Sequence, residues 1–356
     1  MLETPGIDEI FDLYVAYGIA ECLVRGGVED FEIVPLGKKF RIVPEGENLR
    51  SQSGAEDSNN WIKNAIKNGL IDALEEMLAF HQALIRELGS EADFSRGANI
   101  NNEYFLGIPK TLAEVRENLI NNKDIEGDKD KTIPITLMPS AGKFLPQYFS
   151  VKGGNPIKID RKNYALAWVG FHFYTPYLKY GKEDKTLVHI YALIPLESLK
   201  ALEVLALKDL KKKLPNYWAE DFMNSGKLAL LYHLAHTETL GALEVLTKKS
   251  FSLRAYTLSG EGKRQAIRYF DIKDIGKLMN FLWLLKRRSV YHAVSFVDNL
   301  LKADIEAGLS LVDAVLFDEV DGFYKALRIA KRAGVIIPKI VVEGIQEYMN
   351  PTCIKQ

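Results

Sequence analysis

The sequence predicts an α+β fold: a mixed N-terminal body with antiparallel hairpins and long helices, followed by a C-terminal helical bundle. Three observations predict it. Short apolar runs flank turn residues at Phe31–Val43 and again at Phe251–Ile272, the pattern of antiparallel hairpins. Apolar residues recur at helical spacing over Ile7–Val24 and Trp61–Leu88, as core-facing helices require. From Lys273 to the end the pattern is helical throughout. Strands followed by helices suit an α+β arrangement better than a βαβ alternation. The expected domains are a mixed body over 1–272 and a helical bundle over 273–356.

The chain has 356 residues, of which 47% are hydrophobic. That is enough for a large core and for two domains. The formal net charge is -1, whereas a free-standing nonspecific nucleic-acid binder is usually basic. Any polyanion contact therefore has to come from local patches. Two cysteines, Cys22 and Cys353, argue against a disulfide scaffold and fit a reducing, cytoplasmic setting. The first residues have neither the basic nor the apolar region of a signal peptide. No apolar run reaches the ~18 residues of a membrane span, so no membrane association is expected.

Taken in order, Ile7–Val24 reads as a helix stopped by Gly26-Gly27. Phe31–Val43 is a hairpin turning at Pro35-Leu36-Gly37-Lys38. Glu45–Asn60 is a polar connection, and Trp61–Leu88 is a helix with Ile62, Ile66, Leu70, Leu74, Met77 and Leu78 on one face. Ser95–Gly107 is a loop rich in Asn. Pro109–Asn121 is a short helix with Thr111 and Glu114 as a capping box. Asn122–Lys131 is a charged loop. Leu137–Lys158 is irregular, broken by three prolines and three glycines. Tyr164–Tyr174 and Leu187–Ile194 read as strands, rich in aromatic and β-branched residues, around the turn-like Lys179–Lys185. Leu196–Leu214 is a helix ended by Pro215, and Ala219–Leu246 is largely helical. Phe251–Leu258 and Arg264–Ile272 form a hairpin across Ser259–Gly262. Four helices close the chain: Asp274–Arg288, Ser289–Lys302, Leu309–Ala333 and Pro338–Met349.

Catalytic patterns fail on spacing. Ser140-Ala141-Gly142-Lys143 resembles the end of a phosphate loop, but Phe144 follows the Lys and the first Gly is missing. No Gly-x-Ser-x-Gly elbow occurs. His233, His236 and Glu238 share a helical neighbourhood and define the alternative reading, a metal-dependent hydrolase. They lack the base of a zincin, and a buried histidine pair is the simpler account. The loops offer more. Asn99, Asn101 and Asn102 carry compact amides able to read base edges, although Asn is also a turn residue. Lys143, Gln147 and Lys152 give the irregular segment its donors. Arg254, Lys263, Arg264 and Arg268 make the second hairpin basic. If Tyr256 pairs with Ala266, Arg254 faces Arg268, which is unfavourable unless an anion lies between them. Lys211–Lys213 and Lys286–Arg288 fall at helix C-termini, where the helix dipole accounts for them.

The order of these features carries a family resemblance. DLYVAYGIAECLVRGG, FEIVPLGKKFRIV, WIKNAIKNGLIDALEEMLAFH, MPSAGKFLPQYFSVKGG, HIYALIPLESL and LALLYHLAHTETLGALEVL, with the hairpin and helical tail, resemble the Csa-type large subunit of the archaeal type I-A CRISPR interference complex, the Cascade of that subtype. The resemblance covers most of the chain, and none of its motifs is diagnostic alone. It implies a non-enzymatic subunit needing no cofactor, seated near the crRNA 5′ end beside other Cascade subunits. It implies a part in recognising the protospacer-adjacent motif of double-stranded target DNA, in strand opening and in presenting a surface to a helicase-nuclease. In such guide-directed systems base pairing reads the long target while protein reads a short flanking duplex. That division is compatible with near-zero net charge. A purely structural scaffold is the remaining alternative.

Overall fold

The structure, a computed structural model, describes residues 2–45, 55–88, 108–127, 129–134, 136–139, 157–182, 185–211, 221–237, 240–261 and 264–350. The elements run β1 (Leu2–Glu3), α1 (Glu9–Arg25), β2 (Asp30–Leu36), β3 (Lys39–Glu45), α2 (Ala55–Leu88), α3 (Ile108–Ile120), β4 (Lys131–Thr132), β5 (Lys158–Ile159) and α4 (Arg161–Tyr174). They continue with β6 (Tyr177–Lys182), β7 (Lys185–Pro195), β8 (Leu199–Lys200), α5 (Ala201–Leu210), a 3₁₀ turn (Asp221–Asn224), α6 (Gly226–His236) and α7 (Leu240–Leu246). The last are β9 (Phe251–Glu261), β10 (Arg264–Ile272), α8 (Gly276–Arg288), α9 (Val290–Ala303), α10 (Ile305–Phe317), α11 (Val320–Arg332) and α12 (Lys339–Met349). The α+β class is as the sequence predicts. Among the described residues no helix is long and apolar enough to cross a membrane.

Two compact units emerge, Met1–Thr175 with Glu197–Val204, and Pro176–Leu196 with Leu205–Gln356. This division does not coincide with the expected boundary at residue 272. The helices after Lys273 belong to the same unit as the β9–β10 hairpin.

The first unit is built on α1, buried at every position from Ile10 to Leu23. Asp8 caps its N-terminus by accepting from the Ile10 and Phe11 amides. Buried Asp12 accepts from the Gly6, Ile7 and Asp8 amides at 2.5, 2.8 and 3.0 Å, pinning the entry loop. Helices α4 and α2 approach α1 at backbone distance. A Cβ at Gly18 would collide with the Leu166 carbonyl, and one at Gly69 with the Cys22 carbonyl. Gly69, expected to weaken α2, is therefore what lets α2 lie against α1. Buried Glu21 joins all three helices: Tyr174 Oη donates to it at 2.7 Å and Arg25 Nε at 2.7 Å, and Arg25 reaches Glu76 at 2.6 Å. Removal from water, with the Glu21 carboxylate alongside, raises the Tyr174 phenol well above its usual range. A four-stranded antiparallel sheet, ordered β1-β3-β2-β8, and the short β4–β5 pair complete the unit.

The second unit combines an antiparallel sheet, ordered β10-β9-β7-β6, with helices. His189 and Thr257, paired across β7 and β9, bond side chain to side chain at 2.7 Å. Tyr191 Oη donates to the Gly226 carbonyl at 3.0 Å, tying the sheet to the start of α6.

Several expectations are corrected. Residues 164–174 are helix, not strand: Asp160 caps α4, accepting from the Asn163 amide, and small residues Ala165, Ala167 and Gly170 let aromatics surround a helix buried on most sides. The turn-like stretch at 179–185 instead belongs largely to β6. Helix α3 begins at Ile108, so Thr111 lies inside it and is no cap. The helix read at Ala219–Leu246 breaks at Thr237. That at Leu309–Ala333 breaks at Asp318, which is left-handed (φ 55°).

Candidate nucleic-acid interface

Most of the side chains expected to contact nucleic acid, namely Asn99, Asn101, Asn102, Lys143, Gln147, Lys152 and Lys263, lie outside the described residues. The hairpin register is settled and differs from the expected one by three positions. Tyr256 pairs with Tyr269, Arg254 with Asp271, and Arg268 with Thr257. Arg254 thus faces an acid rather than another arginine, and its Nε lies 3.3 Å from Asp271 Oδ1. Contrary to the sequence-based expectation, no like-charge pair of Arg254 and Arg268 calls for an anion between them. Arg264 pairs in the backbone register with Glu261.

The cations at helix ends are mostly engaged. Arg287 reaches Glu347, and Arg288 reaches Glu347 at 2.9 Å and Glu343 at 3.2 Å, both on α12. Lys286 is buried, and its ammonium donates to the Thr237 and Leu234 carbonyls where α6 ends. Its neutralising dipole is thus another helix's C-terminus, not its own. Burial pushes it down to about 8. Lys211 sits over the Tyr177 ring at 5.5 Å and is pushed down by burial to about 7.

The histidine pair is divided between two different partners. The carbonyl of Leu210 can only accept, so His233 Nε2–H donates to it at 2.7 Å and Nδ1 carries the lone pair. Burial holds His233 down at about 4. His236 Nε2 lies 2.7 Å from Asp298 Oδ1. Glu238 lies outside the described residues. Among the described residues no three His, Cys, Asp or Glu side chains are placed to hold a metal ion.

Helix α11 is different. Its inner face buries Phe323, Ala326 and Ala330, and Phe323 packs against the Phe281 and Tyr348 rings, each at 5.9 Å. Gly322 allows the close approach to Ala314 of α10. The outer face presents Tyr324, 62% exposed, with Arg328, Lys331 and Arg332. Positions 324, 328, 331 and 332 stand on one side of a helix. Among the described residues these three cations have no ion pair, while neighbouring Lys325 is held by Glu306 at 3.1 Å. The helix dipole accounts for Lys331 and Arg332 in the last turn. It does not account for Arg328 or for a large exposed ring beside it. Unpaired arginine and lysine beside an exposed aromatic suit a phosphate backbone with bases to stack. Sequence reasoning misses this row when it runs one helix through Asp318, which hides the phase of the second. The spacing Tyr324-Arg328-Lys331-Arg332 is the signal that could have found it.

Two comparisons with known proteins place the chain. The profile of the family described as CRISPR-associated protein (Cas_Csa4) matches residues 1–351. A protein of Methanocaldococcus jannaschii named CRISPR-associated protein Cas8a2/Csa4 is 48% identical over 360 residues, covering 98% of this chain and 92% of the relative. The Csa-type large subunit that the sequence resembles is thereby confirmed, and with it a role in CRISPR defence. The chain belongs to the CRISPR-associated Cas_Csa4 family.

Proposed function

We propose that this chain is a non-enzymatic subunit of a type I-A Cascade that binds target DNA, contributes to recognition of the protospacer-adjacent motif and assists strand opening. Its partners in this reading are the other Cascade subunits, crRNA, double-stranded target DNA and the helicase-nuclease. The observation that carries it is the α11 row: Arg328, Lys331 and Arg332, unpaired among the described residues, beside exposed Tyr324. A subunit of net charge -1 gains affinity from a few such local contacts, each releasing counterions from the DNA. Sequence reading by guide pairing leaves the protein only the flanking duplex to recognise. Asn99, Asn101 and Asn102 are the proposed readers. Lys143, Gln147, Lys152, Arg254, Lys263, Arg264 and Arg268 are the proposed supporting and phosphate contacts.

The hydrolase alternative is disfavoured by its own residues: His233 Nε2 donates to a backbone carbonyl, His236 Nε2 is occupied by Asp298, and among the described residues no third group joins them to hold a metal ion. The test uses the RNA-loaded complex rebuilt with R328Q/K331Q/R332Q. Affinity for target duplex should fall, and the slope of log affinity against log salt should become shallower by about two to three. N101A/N102A should reduce discrimination between correct and altered flanking motifs. Unchanged slope and unchanged discrimination together would leave only the scaffold reading.

A further inference from the structure

Helix α2 carries a row of side chains of which, among the described residues, only Lys67 bonds to another element of the fold. Ile62, Ala65, Ile66, Gly69 and Leu70 face inward and are buried. On the outer face stand Asn60, Lys63, Asn64, Lys67 and Asn68, all exposed except half-buried Lys67. The first acid after Asn60 on this helix is Asp72. The turn that follows α3 adds exposed Asn121, Asn122 and Lys123, with Asn122 left-handed at φ 54°. Lys67 Nζ donates to Asn122 Oδ1, joining helix and turn into one surface. Among the described residues Lys63 and Lys123 have no ion pair, and Asn64 and Asn68 have no side-chain hydrogen bond.

Neither capping nor the helix dipole explains this row, because it lies well inside a helix running from Ala55 to Leu88. Asparagine is a poor helix former, since its amide competes for backbone hydrogen bonds. Three of them at four-residue intervals on solvent-facing positions weaken α2 where Ala, Glu or Lys would strengthen it. One turn further along, the same helix uses its surface conventionally: Glu75 pairs with Arg116 and Glu76 with Arg25, each at 2.6 Å.

We propose that α2 and the turn at 121–123 form a second DNA-contacting surface, one that takes the major groove of a duplex. This rests on the DNA-binding reading above and adds residues to it. A helix ~10–12 Å across enters a groove about 12 Å wide. Asn64 and Asn68 meet base edges, where an Asn amide pairs bidentately with adenine N6 and N7. Lys63 and Lys123 meet phosphates on either side, and Lys67 holds Asn122 in register. A protein partner is the less suitable occupant, because interface cores favour aromatic, Met and Arg anchors and are depleted in Lys, and this row offers none of those anchors.

The test measures the affinity of the RNA-loaded complex for short duplexes that vary the flanking sequence. N64A/N68A replaces Asn by better helix formers, so the melting temperature should hold or rise. Discrimination among duplexes should nevertheless fall by about tenfold for each base whose edge goes unread. K63Q/K123Q should weaken all duplexes alike and make the salt slope shallower by about two. If both variants bind every duplex like the parent, the surface is not a DNA contact and the proposal is overturned. If K63Q/K123Q instead weakens capture of another subunit with DNA affinity intact, the face is a protein interface and the proposal fails equally. The α11 variant separates the two readings. Weaker binding with R328Q/K331Q/R332Q but not with the α2 variants overturns this proposal alone, and unchanged binding with both sets overturns both.

Discussion

The α2 row and the α11 row are both solvent-facing strips on amphipathic helices, and they are made of different chemistry. On α2 the donors are compact amides and lysine point charges, with no exposed ring among them. On α11 they are two arginines and a lysine beside a tyrosine that is 62% exposed. Amides at regular spacing discriminate between bases, whereas arginine forks and a ring hold phosphate and stack without regard to sequence. The difference teaches that a chain of near-zero net charge need not have one diffuse basic surface. Here many acids are matched elsewhere, as with Glu347 and Glu343 against Arg287 and Arg288, which leaves short unmatched rows.

The two rows can be separated by breaking the scaffold of one. Gly69→Leu should force α2 away from the Cys22 carbonyl and cost about 3 kcal/mol or more, because backbone cannot yield as a side-chain tip does. Denaturant midpoints measure the loss. DNA contacts through α11 should survive any condition in which the variant folds.

A second test concerns the unit that carries α11. His233 is held at about 4 against an ordinary 6.5, so the unfolded chain binds a proton that the native state refuses across that interval. Its contribution is fully present above 6.5 and is lost as pH falls toward 4. Between pH 6.5 and about 5 the loss should reach ~1.5 kcal/mol. His233→Phe should flatten that part of the profile, whatever it does to stability at neutral pH. A profile unchanged by the substitution would move the acid sensitivity to another group.

The smallest effect concerns the β9–β10 hairpin. Asp271→Asn releases Arg254 from the acid it faces across the strands. The pair is largely exposed, so stability should change by less than about 1 kcal/mol. If Arg254 touches phosphate, DNA affinity should rise about two- to threefold, the yield of removing a competing surface charge. Unchanged affinity would remove Arg254 from the interface.

Long elements with one buried face are legible in the sequence. Helix α2 shows itself through Ile62, Ile66, Leu70 and Leu74, and the β2–β3 hairpin through its turn at Gly37, which is left-handed at φ 69°. Elements buried on most sides are not legible. In α4 the inward residues have no periodic outward complement, so Trp168, Val169 and Phe171 imitate a strand. The β9–β10 register is hidden because Gly260 and Gly262 offer competing turn signals in the sequence, and a turn placed across Ser259–Gly262 shifts every pair along the strands. The Asn and Lys row on α2 is hidden for a different reason: polar residues opposite an apolar face are what any amphipathic helix presents, and only the absence of acids from Asn60 to Ile71 sets this face apart. The phase of α11 depends on Asp318 taking a left-handed conformation, which its neighbours in sequence do not announce.

Whether this Cas_Csa4 chain contributes DNA contacts from unmatched local rows is decided most directly by one titration. The RNA-loaded complex, with either the natural chain or R328Q/K331Q/R332Q, is bound to target duplex across a salt series. The variant should bind more weakly at low salt, with a slope shallower by about two to three and the two lines converging as salt rises. Parallel lines of equal affinity would contradict such a contribution.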